Sequence, residues 1–255
     1  MRKTAVVTGG GQGIGRAIAT DLVGCGWSVA CLDRDAEALA ELASAYSPDT
    51  LLALTCNVAD EAQVRRAFTR YDAWLRRHAI KPGLDLLVNN AGIADPHSGP
   101  VEKLSLRNWQ RWIDSHLTGA FLCTRSAVPR LRKRAGSSII NIASTRALQS
   151  EPDTEAYSAA KGGLVAFTHA LAISLGPRVR CNAIAPGWVE TGPYQKRSAR
   201  TRPSHRHVDH AQHPAGRVGV PDDVADAVLY LADAGFVTGQ VLVVDGGMTR
   251  RMIYA

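Results

Sequence analysis

Residues 3–15 read Lys3-Thr4-Ala5-Val6-Val7-Thr8-Gly9-Gly10-Gly11-Gln12-Gly13-Ile14-Gly15. An apolar run of strand length passes straight into a glycine-rich turn. The turn opens an amphipathic stretch with Ile14, Ala17, Ile18 and Leu22 at helical spacing. Strand, tight turn and helix in that order begin a dinucleotide-binding unit. The glycines let the chain turn and let a diphosphate approach the amides, while the helix N-terminus offers unpaired N–H donors and the positive end of its dipole. A glycine-rich loop alone is often only a turn. Here the next strand, residues 27–32, leads into Asp33, at the distance downstream where a carboxylate accepts hydrogen bonds from an adenosine ribose.

Further strand candidates at 51–56, 84–88, 137–143, 178–184 and 240–244 alternate with helical stretches. Their apolar character suits a parallel sheet covered on both faces. The fold predicted is α/β: a doubly wound parallel sheet of about seven strands with helices on both faces (a Rossmann fold). Residues 1–255 read as a single domain, with no evident linker and 45% hydrophobic residues to build its core. In such a sheet ligands bind beyond the carboxyl ends of the strands.

Residues 154–175 read as a helix, which puts Tyr157 and Lys161 on one face. Ser144 lies upstream, at the end of a strand. Tyrosine titrates near pH 10, so bringing it to about 7 takes roughly 4 kcal/mol of preference for the phenolate. A neighbouring cation is the direct source. Taken singly, a Tyr and a Lys on a helix face recur by chance, and a strand-end serine most often caps local backbone.

Together these pieces resemble the short-chain dehydrogenase/reductase family over nearly the whole chain. Its glycine pattern stands here as Thr8, Gly9, Gly13 and Gly15, and its NNAG stretch as Asn89-Asn90-Ala91-Gly92. Its serine strand ends on Ser144, with Tyr157 and Lys161 following at the family's spacing. Its nicotinamide-side loop is matched by Asn182-Ala183-Ile184-Ala185-Pro186-Gly187 with Val189 and Thr191. The resemblance implies hydride transfer between a nicotinamide and a secondary alcohol or ketone. Tyr157 would be the acid/base, Ser144 would bind the substrate oxygen, and Lys161 would lower the Tyr157 pKa and bind the nicotinamide ribose. The dinucleotide would be held by Gly9, Gln12, Gly13, Ile14 and Gly15, by Asp33, Arg34, Asn57 and Val58, and by Asn89, Ala91 and Gly92. Tyr157, Lys161, Pro186, Gly187, Val189 and Thr191 complete the set. NAD is expected over NADP because Asp33 would repel a 2′-phosphate, an effect Arg34 would partly offset. The family also implies a homotetramer built on the long central helices and the C-terminal strand, with Met248 to Ala255 extending toward a neighbour.

Two positions depart from the family. His116 stands where an asparagine is usual in a proton relay. It is read either as a histidine packed in its helix or as a catalytic relay group adding an acid limb roughly between pH 6 and 7. Asn57 stands where an aspartate often holds the adenine, and keeps an amide oxygen as acceptor. His116 is the one feature favouring a non-catalytic dinucleotide sensor or scaffold of the same fold.

The net charge of +7 draws on a basic stretch holding Lys196, Arg197, Arg200, Arg202 and Arg206. Three readings were open: a solvated lid face, recruitment of an anionic substrate or cofactor phosphate, and nucleic-acid binding. The absence of interleaved aromatic residues disfavours the last. Residues 192–215 are expected to form a substrate lid with few anchors besides Tyr194. Candidate substrate residues are Arg146, Glu151, Trp188 and Tyr194. His205, His207, His210 and His213 read as surface histidines, with no metal site. The five scattered cysteines read as small buried hydrophobes. No apolar run reaches the length of a membrane span and the first strand starts at once, so a cytoplasmic enzyme of a small molecule is expected, with no membrane or nucleic-acid partner.

Overall fold

In a computed structural model describing residues 2–252, the strand runs become β1 (Thr4–Thr8), β2 (Ser28–Asp33), β3 (Leu51–Thr55), β4 (Leu86–Asn89), β5 (Ser137–Ile142), β6 (Val179–Pro186) and β7 (Val241–Val244). They form one parallel sheet in the order β3-β2-β1-β4-β5-β6-β7. The helices are α1 (Gly13–Gly24), α2 (Ala36–Ala43), α3 (Glu61–Arg77), α4 (Leu106–Ile113), α5 (Gly119–Leu131), α6 (Glu155–Leu175), α7 (His207–Ala211) and α8 (Pro221–Asp233). Every predicted strand is present, and the doubly wound Rossmann-type sheet is the observed fold.

Alternation along each strand divides the core. Ala5 and Val7 pack toward α1, α2 and α8 on one face, and Val6 toward α3, α5 and α6 on the other. Asp35, Asp60 and Ser105 cap α2, α3 and α4 by accepting backbone amides at 3.0, 3.0 and 3.2 Å. The N-terminus of α1 has no side-chain cap, and its amides stay open at the carboxyl end of β1. There the strand order reverses between β1 and β4, which opens the crevice.

Some expectations change. Cys25 is exposed, while Cys31, Cys56, Cys123 and Cys181 are buried. The 21 residues of α6 are long and apolar enough, by length and composition, to cross a membrane. In this fold they pack on the sheet and carry Tyr157 and Lys161. Of the C-terminal stretch, residues 248–250 form a 3₁₀ turn and residues 253–255 lie outside the described residues.

Candidate active site

The cleft, about 430 Å³, runs from the glycine loop to the end of β5. Gly9 and Gly13 have φ of +62° and +59°, which a side chain would strain. A Cβ on Gly15 would lie 2.0 Å from the Gly9 carbonyl oxygen, so this glycine serves close packing of α1 and does not line the cleft. Gln12, Gly13 and Ile14 do line it. Asp33 is buried. Its carboxylate accepts the Gly11 amide and the Asp35 amide, each at 3.0 Å, which fixes it in the cleft with lone pairs to spare. Arg34 flanks it. Uncapped helix amides, glycines held at positive φ and a carboxylate anchored by two amides together fit a dinucleotide.

Besides Gly15, one expected cofactor residue lies off the cleft. Asn89 does not line the cleft. Its amide nitrogen donates to Asn141 Oδ1 at 2.8 Å and Thr124 Oγ1 at 3.1 Å, and Asn141 donates on to Thr168 at 2.9 Å. It is a strut beneath the floor. Asn90 does the positioning instead, donating to the Thr8 and Gly9 carbonyls at 3.0 and 3.2 Å. Asn57 lines the cleft, but its amide oxygen accepts the Ala59 amide at 3.1 Å, so it serves the turn first. Val58, Ala91, Gly92, Pro186, Gly187, Val189 and Thr191 line the cleft as expected. Gln195 joins them, donating to Thr191 Oγ1 at 3.1 Å; nothing in its sequence context singled it out.

At the far end stand Ser144, Tyr157 and Lys161. Ser144, two residues beyond β5, caps the following 3₁₀ turn and accepts the Arg146 amide at 3.1 Å. Tyr157 lies in the first turn of α6, with the Lys161 ammonium 5.5 Å from its ring centroid. Lys161 is 4% exposed and donates to the Ile142 carbonyl at 2.8 Å. Burial pushes its pKa down to about 7. Burial also pushes the Tyr157 phenol up, opposed by the neighbouring Ser144 hydroxyl and by the charge of Arg146.

The helix expected before β5 is interrupted. Residues Asp114–Thr118 form a π-helical turn between α4 and α5, and it carries His116. The His116 ring is stacked on Trp112 (centroids 6.1 Å apart, 1° between planes) and edge-on to Tyr157 at 5.3 Å. Its Nε2 accepts the Ile93 amide at 3.1 Å, and burial, then Lys161, push its pKa down to about 2. Acceptance of the Ile93 amide and burial both favour the neutral ring, and so the packed reading of His116 over the titrating one. Trp112, one helical turn earlier, was not singled out in the sequence, although its i, i+4 spacing to His116 was visible there.

None of the four expected substrate residues lines the cleft. Arg146 and Glu151 pair at 2.5 Å. Trp188 instead packs against His205 and His213, and Tyr194 turns away to Asp222 at 2.5 Å, joining the core under α1. Neither lines the cleft. Residues 195–201, within the span expected to be a lid, are better anchored than their composition promised. Lys196 pairs with Asp35 and Glu37 at 2.8 and 2.7 Å, and Arg200 with Glu41 at 2.6 Å. The histidines do not all lie at the surface either: His213 is buried, and His205 is half-buried on Glu190 at 3.0 Å.

Residues 9–249 match the family described as enoyl-(acyl carrier protein) reductase. An uncharacterized oxidoreductase of Thermotoga maritima is 47% identical over 99% of this chain and 98% of its own length. The chain is a short-chain dehydrogenase/reductase. A 2-(R)-hydroxypropyl-CoM dehydrogenase of Xanthobacter autotrophicus is 35% identical, covering 98% of this chain and 99% of that protein. Among solved structures, an apo SCOR enzyme from Clostridium thermocellum superposes with TM-score 0.86 at 38% identity, covering 100% of this chain and 96% of that one. A 3-ketoacyl-(acyl-carrier-protein) reductase from Brucella melitensis complexed with NADH superposes with TM-score 0.83 at 31% identity, covering 97% and 98%. This oxidoreductase family uses a nicotinamide cofactor, and this chain's cleft has the groups to hold one.

Proposed function

We propose that this short-chain dehydrogenase/reductase interconverts a secondary alcohol and its ketone with NAD, through Ser144, Tyr157 and Lys161. One observation carries the reading: these three side chains lie at one end of a continuous cleft whose other end is the glycine loop and Asp33. Bound there, the nicotinamide supplies the hydride acceptor or donor. Tyr157 takes the hydroxyl proton in oxidation and returns it in reduction, and Ser144 holds the substrate oxygen beside it. Lys161 holds the ribose side of the cofactor and passes a proton at Nζ. The packing of Trp112, His116 and Tyr157 excludes water from one side of the phenol.

Relatives named as a hydroxypropyl-CoM dehydrogenase and a ketoacyl reductase support an alcohol/ketone pair. The sensor alternative drew on His116 alone, and a neutral histidine packed in its helix gives it no support. A homotetramer is part of the proposal: Phe121 on α5 and Ile173 on α6 are exposed, as are Tyr230 on α8 and Phe236 in the turn before β7, which suits burial between subunits.

The test follows nicotinamide absorbance with a panel of secondary alcohols and ketones, for wild type and Tyr157→Phe. Turnover should fall by orders of magnitude in the variant while NAD binding survives. Equal turnover in the two proteins would end the reading.

A further inference from the structure

We propose that Gln195 is a positioning residue for the dinucleotide: it holds the Thr191 hydroxyl as a donor toward the diphosphate. The inference rests on the reading of the cleft as a nicotinamide-dinucleotide site and adds to it a residue beyond the family's nicotinamide-side loop.

Gln195 follows the 3₁₀ turn Gly192–Tyr194, and its side chain folds back across that turn. Its Nε2 donates to the Thr191 carbonyl at 3.2 Å and to Thr191 Oγ1 at 3.1 Å. A backbone carbonyl can only accept, so the nitrogen of the amide, not its oxygen, faces Thr191. The threonine hydroxyl is thereby an acceptor toward Gln195. Its single proton has to point elsewhere. That proton finds no acceptor among the described residues. Glu190, the adjacent carboxylate in the chain, is turned to the Gly192 amide at 2.6 Å and to His205 at 3.0 Å.

Thr191 and Gln195 both line the cleft, and both stand over the glycine turn. A Cβ on Gly13 would lie 3.7 Å from Thr191 Cβ and 3.8 Å from Gln195 Nε2. Gly13 is the first residue of α1, whose N-terminus has no side-chain cap, and the part of a dinucleotide that meets such a turn is its diphosphate. Phosphate oxygens only accept. A hydroxyl left with an unspent proton matches them, and a charged acceptor makes such a bond roughly twice as strong as a neutral one. Without Gln195 the hydroxyl rotor would be free to turn, so the glutamine fixes in advance what binding would otherwise have to order.

The test measures binding. NADH fluorescence is followed in wild type, Gln195→Met, Thr191→Val and the double variant, with ADP-ribose and adenosine as competitors. Methionine keeps the length of glutamine and cannot donate. Thr191→Val should weaken NADH and ADP-ribose by about tenfold, the size of a hydrogen bond to a charged group. Gln195→Met should weaken them by about fivefold, and the double variant by no more than Thr191→Val alone. Adenosine has no phosphate and should bind all four proteins alike. If Gln195 served only to close the turn, its loss would persist in the Thr191→Val background, where the residue 191 carbonyl remains. Additive losses would therefore overturn the proposal, as would an unchanged NADH affinity in Gln195→Met or an equal loss of adenosine affinity. Wild type that binds NADH but turns over no alcohol or ketone would count against the proposed function alone, and wild type that binds no NADH would overturn both.

Discussion

His116 Nε2 accepts the amide of Ile93 at 3.1 Å, which leaves the ring proton on Nδ1 and ties the π-turn to the loop after β4. A ring acting as acceptor, buried and close to Lys161, has every reason to stay neutral, and its pKa falls to about 2. The catalytic prediction is that pH–rate profiles of wild type and His116→Asn superimpose between roughly pH 6 and 7. An acid limb in wild type that the variant lacks would contradict this.

The same group predicts a stability effect of definite sign. Once unfolded, His116 titrates near 6.5; folded, it takes a proton only near 2. Between those values the unfolded chain binds the extra proton, so stability falls as pH falls through that window, by up to about 1.4 kcal/mol per pH unit. Urea midpoints for wild type should drop more steeply on acidification than those of His116→Asn. Parallel curves would show that the ring is not the group responsible.

How much of this was legible beforehand depended on whether the signal was local. The strand, glycine turn and helix of residues 4–24 and the Ser144, Tyr157, Lys161 spacing are short-range patterns, and the fold sets them where the sequence implied. Asn89 was misjudged because the direction of its side chain is decided by β5 and α6, far along the chain. Tyr194 was misjudged for a similar reason: its partner, Asp222, belongs to the first turn of α8. Residues 195–201 looked loose because their composition lacks apolar anchors, while their actual anchors are carboxylates on α2 and at its cap.

Gly92 and His116 make a tightly fitted pair. A Cβ at position 92 would lie 2.1 Å from both Cε1 and Nδ1 of the histidine, and the ring is backed by Trp112. Gly92→Ala should cost about 1–3 kcal/mol by overpacking. His116→Ala opens the space, so the double variant should be more stable than the sum of the two single losses allows. Strict additivity in chemical denaturation would mean the two positions do not press on each other.

Cofactor choice should follow Asp33. Its carboxylate is fixed by two backbone amides, so it cannot swing away from a 2′-phosphate. Like charges at about 4 Å repel by several kcal/mol at the effective dielectric of a partly buried site. NAD should therefore exceed NADP in kcat/KM by at least about tenfold. Asp33→Ala should narrow or reverse that ratio, since Arg34 remains beside the site. A wild-type preference for NADP would remove Asp33 from its assigned role.

The segment 195–201 should behave as a strap fastened by charge. Glu41 is its main fastening: Oε1 accepts from Arg16 at 2.9 Å and Arg200 at 2.6 Å, and Oε2 accepts the Arg197 amide at 2.6 Å. Lys196 adds its pairs with Asp35 and Glu37, and Ser198 donates to Glu37 at 2.7 Å. Gln195, at the start of the strap, lines the cofactor cleft, so loosening the strap should ease dinucleotide release. These contacts are exposed and screened by salt. Glu41→Gln should speed amide exchange across 195–201 and quicken NADH release, and about 0.5 M salt should do the same, more weakly, in wild type. Residues 207–211, held instead by the local Arg206–Asp209 pair at 2.9 Å, should exchange at an unchanged rate in the variant. Exchange across 195–201 that ignores both the substitution and the salt would mean that the strap is held by its packing and that the ion pairs are incidental.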